Sequence, residues 1–198
     1  MVPNPAFGFA LAAAAMSVCA GGLRAGEWHV DRAAANRAAF TARYLGTTFD
    51  GTTSQIDGFV YWKGNGPDGA PPLGGEVYVE VDLNALDTGI GLRNTHMREN
   101  YLETGRHPFA SFKGGVSKWV PQAEGGALAA VEGVLSLHGR EAPLNVAVRV
   151  APQGDGFRTA CSFPLDIRDF GIEVPSLMGA TVDPNLLIEL DLAWVKVR

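Results

Sequence analysis

Cysteine is almost missing: Cys19 and Cys161 are the whole complement of a 198-residue chain. Cys19 falls in an N-terminal segment that reads as a removable leader, so Cys161 would stand alone and no intrachain disulfide framework is expected. Stability must then come from a buried core, which residues 26–198 are numerous enough to build as one domain. Positive charge is also short. Lys and Arg number 16 against 21 Asp and Glu, a net charge of −5, which argues against nucleic acid as a partner. Long apolar runs are missing too. The longest, Ala6–Val18, is too short to span a bilayer and is followed by small residues, with Leu23, Arg24 and Ala25 resembling a cleavage site ahead of Gly26. Residues 1–25 are therefore expected to be a signal peptide and the mature protein to be periplasmic or secreted. No Lys or Arg precedes the run, and Val18 is a poor match to the small residue that would make Cys19 a lipid-anchor site.

The motifs of several chemistries are absent as well. There is no G-x-S-x-G, and Ser111, Ser136 and Ser162 lie in strand-like runs where a hydroxyl serves the ladder or solvent. His29, His96, His107 and His138 are scattered, without H-x-H, H-E-x-x-H or paired cysteines, so no metal site and no cofactor is expected. Gly64–Gly69, "GNGPDG", fits G-x-G-x-x-G letter for letter, but Ala70, Pro71, Pro72 and Leu73 follow where a helix would have to open. Cys161, in the alternating run "FRTACSF", reads as a small buried hydrophobe; as a lone exported thiol it could also join two chains in a homodimer.

What is present is alternation. In "GGEVYVEVDLNAL" Val77, Val79, Val81 and Leu83 share one face, opposite Tyr78, Glu80 and Asp82. Leu144, Val146, Val148 and Val150 repeat the split, as do Leu186, Ile188, Leu190, Leu192 and Trp194. Less regular versions cover residues 35–44, 54–62, 107–113, 128–137 and 156–164, giving about eight strands. Within 54–62 the pattern leaves open whether Phe59 and Tyr61 or Val60 and Trp62 face inward. Antiparallel strands with one dry face must pack as a two-sheet sandwich or close into a barrel, and alternation favours neither. Two connections are long: residues 63–74, rich in Gly and Pro, and residues 167–185 before the last strand.

One passage breaks the pattern. Over residues 92–115, "LRNTHMRENYLETGRHPFASFKGG", Asn94 or Thr95 can cap a helix, Met97 and Tyr101 fall at i,i+4, and Gly105 stands where a left-handed C-cap belongs. Glu99 and Glu103 would share its charged outer face, while Arg93, Arg98 and Arg106 would keep their charges in water. A short plug or lid in an all-β protein accounts for most of it.

The same passage, extended to "LDTGIGLRNTHMRENYLETGRHPFASFKGG", resembles the central signature of the YceI-like family. "VEGVLSLHGREAPLNVAV", "IRDFGI" and "LLIELDLAW" are similar to further elements of that family, and the resemblance covers residues 27–196. It implies an all-β fold, an extended lipocalin-like antiparallel eight-stranded β-barrel with a short helix near the mouth. It also implies an exported, non-spanning carrier of a long apolar molecule such as a polyisoprenoid or isoprenoid quinone. On the alternation, the wall of such a barrel would be Val79, Val81, Leu83, Leu135, Leu137, Val146, Val148, Phe157, Phe163, Ile188 and Leu190, a set without charge that selects hydrocarbon. Arg93, Asn94 and His96 are the candidates to meet a polar head, unless they only pin the helix to neighbouring loops. Two further readings stay open: an enzyme using the His96 region as acid/base on a hydrophobic substrate, and a filled barrel acting as a ligand-free interaction module.

Overall fold

Strands rich in valine, alanine and aromatic residues pair in sequence order to build the wall. The structure, a computed structural model, describes residues 25–63, 73–123, 125–177 and 179–197. Of the expected signal peptide, residues 1–25, all but Ala25 lies outside the described residues, Cys19 included, as does the Gly64–Gly69 loop. A continuous meander runs through β4 (Ile56–Lys63), β5 (Glu76–Asp82), β6 (Phe109–Pro121), β7 (Ala127–Leu137), β8 (Arg140–Gln153) and β9 (Gly156–Asp166). β12 (Asn185–Lys196) pairs with β9 and, through Trp28↔Lys196 and Val30↔Trp194, with β1 (Ala25–Val30), which itself pairs with β4. Eight strands thereby close an antiparallel barrel, which leaves the ring without a free edge.

The ring is extended at one end. β12 shares one edge between two strands: its last residues pair with β1, whereas Leu187–Asp191 pair with β2 (Arg37–Tyr44), which turns into β3 (Thr47–Thr53). Asn36 fills the gap where β1 gives way to β2. Its amide donates to the Asp31 carbonyl at 2.7 Å and accepts from the Ala193 N–H at 2.8 Å, so the ladder groups of the break stay satisfied. β3 is tied to the segment after β5 by paired Thr52 and Asp87 backbone bonds, both 2.9 Å. The hairpin therefore carries the wall past the end of the ring. β1 and β3 are not among the stretches that alternation singles out. "TTFDGTT" has a single large apolar residue, and β1 contributes only Trp28 and Val30 as large inward side chains, too few to show a period.

Inside, the two ends differ. Phe157, 2% exposed, stacks with Trp194 at 5.8 Å between ring centroids and meets Trp28 and Trp62 at 5.2 Å each, filling one end with rings. Val60 and Trp62 are buried and Phe59 and Tyr61 lie outside, which resolves the open choice in β4. Along β6 and β7 the facing Gly114 and Gly133 leave room for the Phe112 ring; a Cβ on either would come within 2.7 Å of its Cζ.

At the other end lies α1 (Gly91–His96), continued by a wider turn, Met97–Tyr101, in which the Leu102 N–H reaches back five residues to the Met97 carbonyl at 2.8 Å. The helix begins earlier than its capping signals suggest. Ile90 precedes it without a side-chain cap, and neither Asn94 nor Thr95 caps it. Its exit differs too: Glu103 at φ +44° takes the left-handed conformation expected at Gly105, so Glu99 and Glu103 do not form a helical pair. The excursion after β9 makes a 3₁₀ turn, Ile167–Phe170, and a small hairpin of β10 (Ser176–Leu177) and β11 (Ala180–Thr181). No helix among the described residues is long and apolar enough to cross a membrane.

Candidate ligand cavity and its mouth

The inward faces do not meet. They enclose a cavity of about 790 Å³ that runs from Trp62, Phe157 and Trp194 to the hairpin and helix at the far end. All eleven apolar residues assigned inward from the alternation, from Val79 on β5 to Leu190 on β12, lie on its wall. Val79, Val81, Leu135, Val148, Ile188 and Leu190 are half-buried although they point inward, because they border empty space rather than other side chains. The β2–β3 hairpin adds Ala38, Ala42, Phe40 and Phe49, and the helical segment adds Met97 and Tyr101. Sequence reasoning assigns none of these six to the wall. Alternation along "AAFTA" hints at Ala38, Phe40 and Ala42, but alanines on both faces blur it.

The mouth lies between the β2–β3 turn, the start of α1 and the β10–β11 hairpin, where Thr47, Thr48, Thr88, Ile90, Leu92 and Ser176 border the opening. Arg93 and His96 are the only residues with basic side chains in the lining among the described residues, and no acidic side chain lines it. Arg93 is held firmly. Its Nε donates to Thr88 Oγ1 at 2.8 Å, its Nη2 donates to the Thr88 carbonyl at 2.5 Å, and its guanidinium lies 4.4 Å from the centre of the Phe49 ring. A guanidinium has five N–H groups, so this arrangement fixes its plane and leaves donors uncommitted.

Asn94 is not part of the lining. Its Oδ1 accepts from the Thr88 N–H at 2.9 Å and the Thr88 hydroxyl at 2.6 Å, and its Nδ2 donates to Asp87 Oδ1 at 2.7 Å. The Gly89 N–H and then this amide hold the Asp87 carboxyl below the usual carboxylate range. Asn94 thus welds the turn before the helix to the helix itself. His96 is exposed at the rim, with no hydrogen-bonded carboxylate among the described residues. Arg98 corrects the expectation of a solvated charge: its Nη2 donates to the Leu86 carbonyl at 2.8 Å while its Nε is buried without a partner among the described residues. Arg106 is exposed and pairs with Glu103 at 2.7 Å.

Cys161, on β9, also lines the cavity. Burial pushes its thiol up to about 11, against an opposing backbone hydrogen bond from Leu190. Thiolate is the reactive form, so alkylation by a small reagent such as iodoacetamide should be slow at pH 7 and rise about tenfold per pH unit toward pH 11. The sign for stability follows from the same shift. The unfolded chain ionises first, near the ordinary thiol value of 9.0, so the folded form loses stability as pH climbs from there to about 11. Mass-spectrometric alkylation rates against pH, compared with those of the urea-unfolded chain, check the shift; equal rates at pH 8 would contradict it.

A closed antiparallel barrel with a greasy interior, a helix beside its opening and a fixed cation at the mouth defines a lipocalin-like fold. Residues 28–194 match the profile of the YceI-like domain, and the chain belongs to that family. A protein of Pseudomonas aeruginosa (strain LESB58) called UPF0312 protein is 27% identical over 192 residues, covering 92% of this chain and 94% of that one. Another UPF0312 protein, from Shewanella denitrificans, is 28% identical over 159 residues, covering 76% of this chain and 78% of its own. Among solved structures, Burkholderia cenocepacia BcnA superposes with a TM-score of 0.69 at 19% identity, over 83% of this chain and 98% of that one. A polyisoprenoid binding domain from Saccharophagus degradans gives 0.64 at 18% identity, over 86% and 98%. At these identities the two structures speak for the fold.

Proposed function

We propose that the chain is an exported, non-catalytic carrier that holds a long apolar molecule of polyisoprenoid or isoprenoid-quinone type in the barrel, with the polar head at Arg93. The observation that carries it is the cavity: about 790 Å³ lined by hydrocarbon, with basic and no acidic side chains at the opening among the described residues. At about 30 Å³ per non-hydrogen atom this holds on the order of 25 atoms, roughly five isoprene units. At ~0.3 kcal/mol per atom such a tail contributes ~7.5 kcal/mol, a dissociation constant of a few micromolar. Exposed Leu45, Ile90 and Leu92 beside the mouth give an entering tail an apolar path. A relative of the same fold, the Saccharophagus degradans domain, is described as polyisoprenoid binding, which supports the same class of ligand. Residues 1–25 would direct export; cell fractionation checks that part.

Apolar extraction of the purified protein followed by mass spectrometry tests the carrier function; a stoichiometric isoprenoid is the expected result, and protein that neither co-purifies with nor takes up such a lipid would refute it. Arg93→Ala separates head from tail. A charge-assisted hydrogen bond contributes about 1.5–3 kcal/mol, so affinity for a phosphate-headed isoprenoid should fall roughly 10- to 100-fold in displacement titrations. Affinity for the bare hydrocarbon should change little.

A further inference from the structure

The turn after the helix brings together residues that sequence spacing keeps apart. Glu103, His107 and His138 each offer a ligand atom, and these atoms lie within 4.8 Å of one another. Glu103 and His107 belong to one turn, closed by a 3.0 Å bond from the His107 N–H to the Glu103 carbonyl, whereas His138 sits in the tight turn joining β7 and β8. We propose that Glu103, His107 and His138 form a binding site for a single first-row divalent transition-metal ion, Zn²⁺ foremost, that clasps the helical segment at the mouth to the rim of the barrel.

His138 is prepared for a metal in two respects. Its Nδ1 lies 3.2 Å from the Phe170 carbonyl, which can only accept, so Nδ1 carries the proton and Nε2 keeps its lone pair. That Nε2 is buried and has no hydrogen-bond partner among the described residues. A ring nitrogen oriented by a carbonyl on its other side is the arrangement by which proteins fix a metal-binding imidazole. The His138 φ of +52° belongs to the two-residue hairpin turn it forms with Gly139, at φ +72°, as Leu45 and Gly46 form the β2–β3 turn at +48° and +78°.

The other two groups fit the same purpose. The His107 ring lies 5.1 Å from the His138 ring, and it can do so only because residue 139 is glycine; a Cβ there would stand 2.7 Å from His107 Cε1. Glu103 is aligned by Arg106, whose Nη1 donates to Oε2 and leaves Oε1 for a cation. Two imidazole nitrogens and one carboxylate oxygen suit zinc and its neighbours, not magnesium or calcium, which take oxygen shells. Tetrahedral bonds of about 2.0–2.1 Å would draw the three atoms inward by roughly 1–1.5 Å and leave a fourth position for water. Through the Phe170 carbonyl the clasp would also reach the excursion after β9.

The test uses untagged full chain stripped with chelator and titrated with ZnCl₂ by calorimetry and thermal unfolding. One equivalent should bind saturably, and a hundredfold excess over the dissociation constant should raise the Tm by roughly 5–10 °C, reversed by chelator. Co²⁺ should give visible d–d bands at the same stoichiometry. His138→Asn, which tolerates the left-handed backbone, and His107→Ala should each weaken binding at least tenfold. Glu103→Gln should weaken it as well, and His29→Ala should bind as the unaltered chain does. The proposal is overturned if the native chain takes up no stoichiometric metal, or if folded His138→Asn and His107→Ala proteins bind it with unchanged affinity.

Discussion

A chain carrying Val79→Trp and Val148→Trp together is expected to lose at least a hundredfold in affinity for an apolar ligand while its Tm moves by no more than a few degrees. Both valines point inward from well-paired strands, β5 and β8, yet are only half-buried because they border the cavity. The added indoles therefore enter space rather than neighbouring side chains. Overpacking, which costs about 1–3 kcal/mol in a filled core, is offset here by new apolar burial at about 25 cal/mol per Å². For the ligand the balance runs the other way. The two substitutions place about fourteen extra non-hydrogen atoms where ligand atoms would lie, and at ~0.3 kcal/mol each this removes ~4 kcal/mol, near a thousandfold. Lipid retained through purification and displacement of an environment-sensitive fluorescent fatty acid are the measurements. Undiminished binding by the folded double variant would place the ligand elsewhere on the molecule.

The wall is legible because a strand repeats every two residues, and a barrel that is dry inside writes that period into every long strand. Along β8, Asn145, Ala147 and Arg149 separate Leu144, Val146, Val148 and Val150, and all four of the larger apolar residues line the cavity. The mouth is much less legible. Asn94 reads as a cap or a head-group ligand because local spacing cannot show that its amide is taken up by Thr88 and Asp87. Arg98 reads as solvated because nothing in a helical pattern announces a free carbonyl at Leu86. β3 is held by pairing with β2 and by the Asp87 bridge, contacts that are not written in its own composition.

The Glu103, His107 and His138 cluster shows what strand register adds to spacing. β6 and β7 are antiparallel neighbours with Ser111 opposite Ser136. Carried a few residues further, that register brings the segment before β6, with His107, to the turn after β7, with His138. Counting histidines along the chain hides this; pairing the two strands exposes it. The same hairpin logic explains why alternation finds the long strands and their inward residues, with closure into a barrel coming from the family likeness, while both say little about the rim. Strand pairing propagates over long distances, whereas each rim contact is particular to a few side chains.

Phe157→Ala is expected to produce the opposite outcome from the cavity-filling pair: a large loss of stability with ligand binding retained. Phe157 is fully buried at the ring-filled end, and its side chain contacts Trp28, Trp62 and Trp194 at once. Truncating a buried phenylalanine costs about 3–5 kcal/mol, and each lost aromatic pairing adds to that. For a chain of this length such a change lowers the Tm by roughly 10 °C or more. The surrounding tryptophans cannot close the gap easily, since Trp28 and Trp194 are anchored on paired strands and the Trp194 Nε1 donates to Thr159 Oγ1 at 2.8 Å. The space left behind is apolar and continuous with the existing cavity, so it lengthens the room for a hydrocarbon tail instead of blocking it. Below its own melting point, the variant should bind an isoprenoid at least as tightly as the unaltered chain. Added ligand should also raise its Tm, because binding the folded form alone draws the unfolding equilibrium back. Calorimetry with and without ligand reads both quantities; a folded Phe157→Ala protein that has lost binding would mean that the tail contacts this ring directly and that the cavity works by shape rather than by volume.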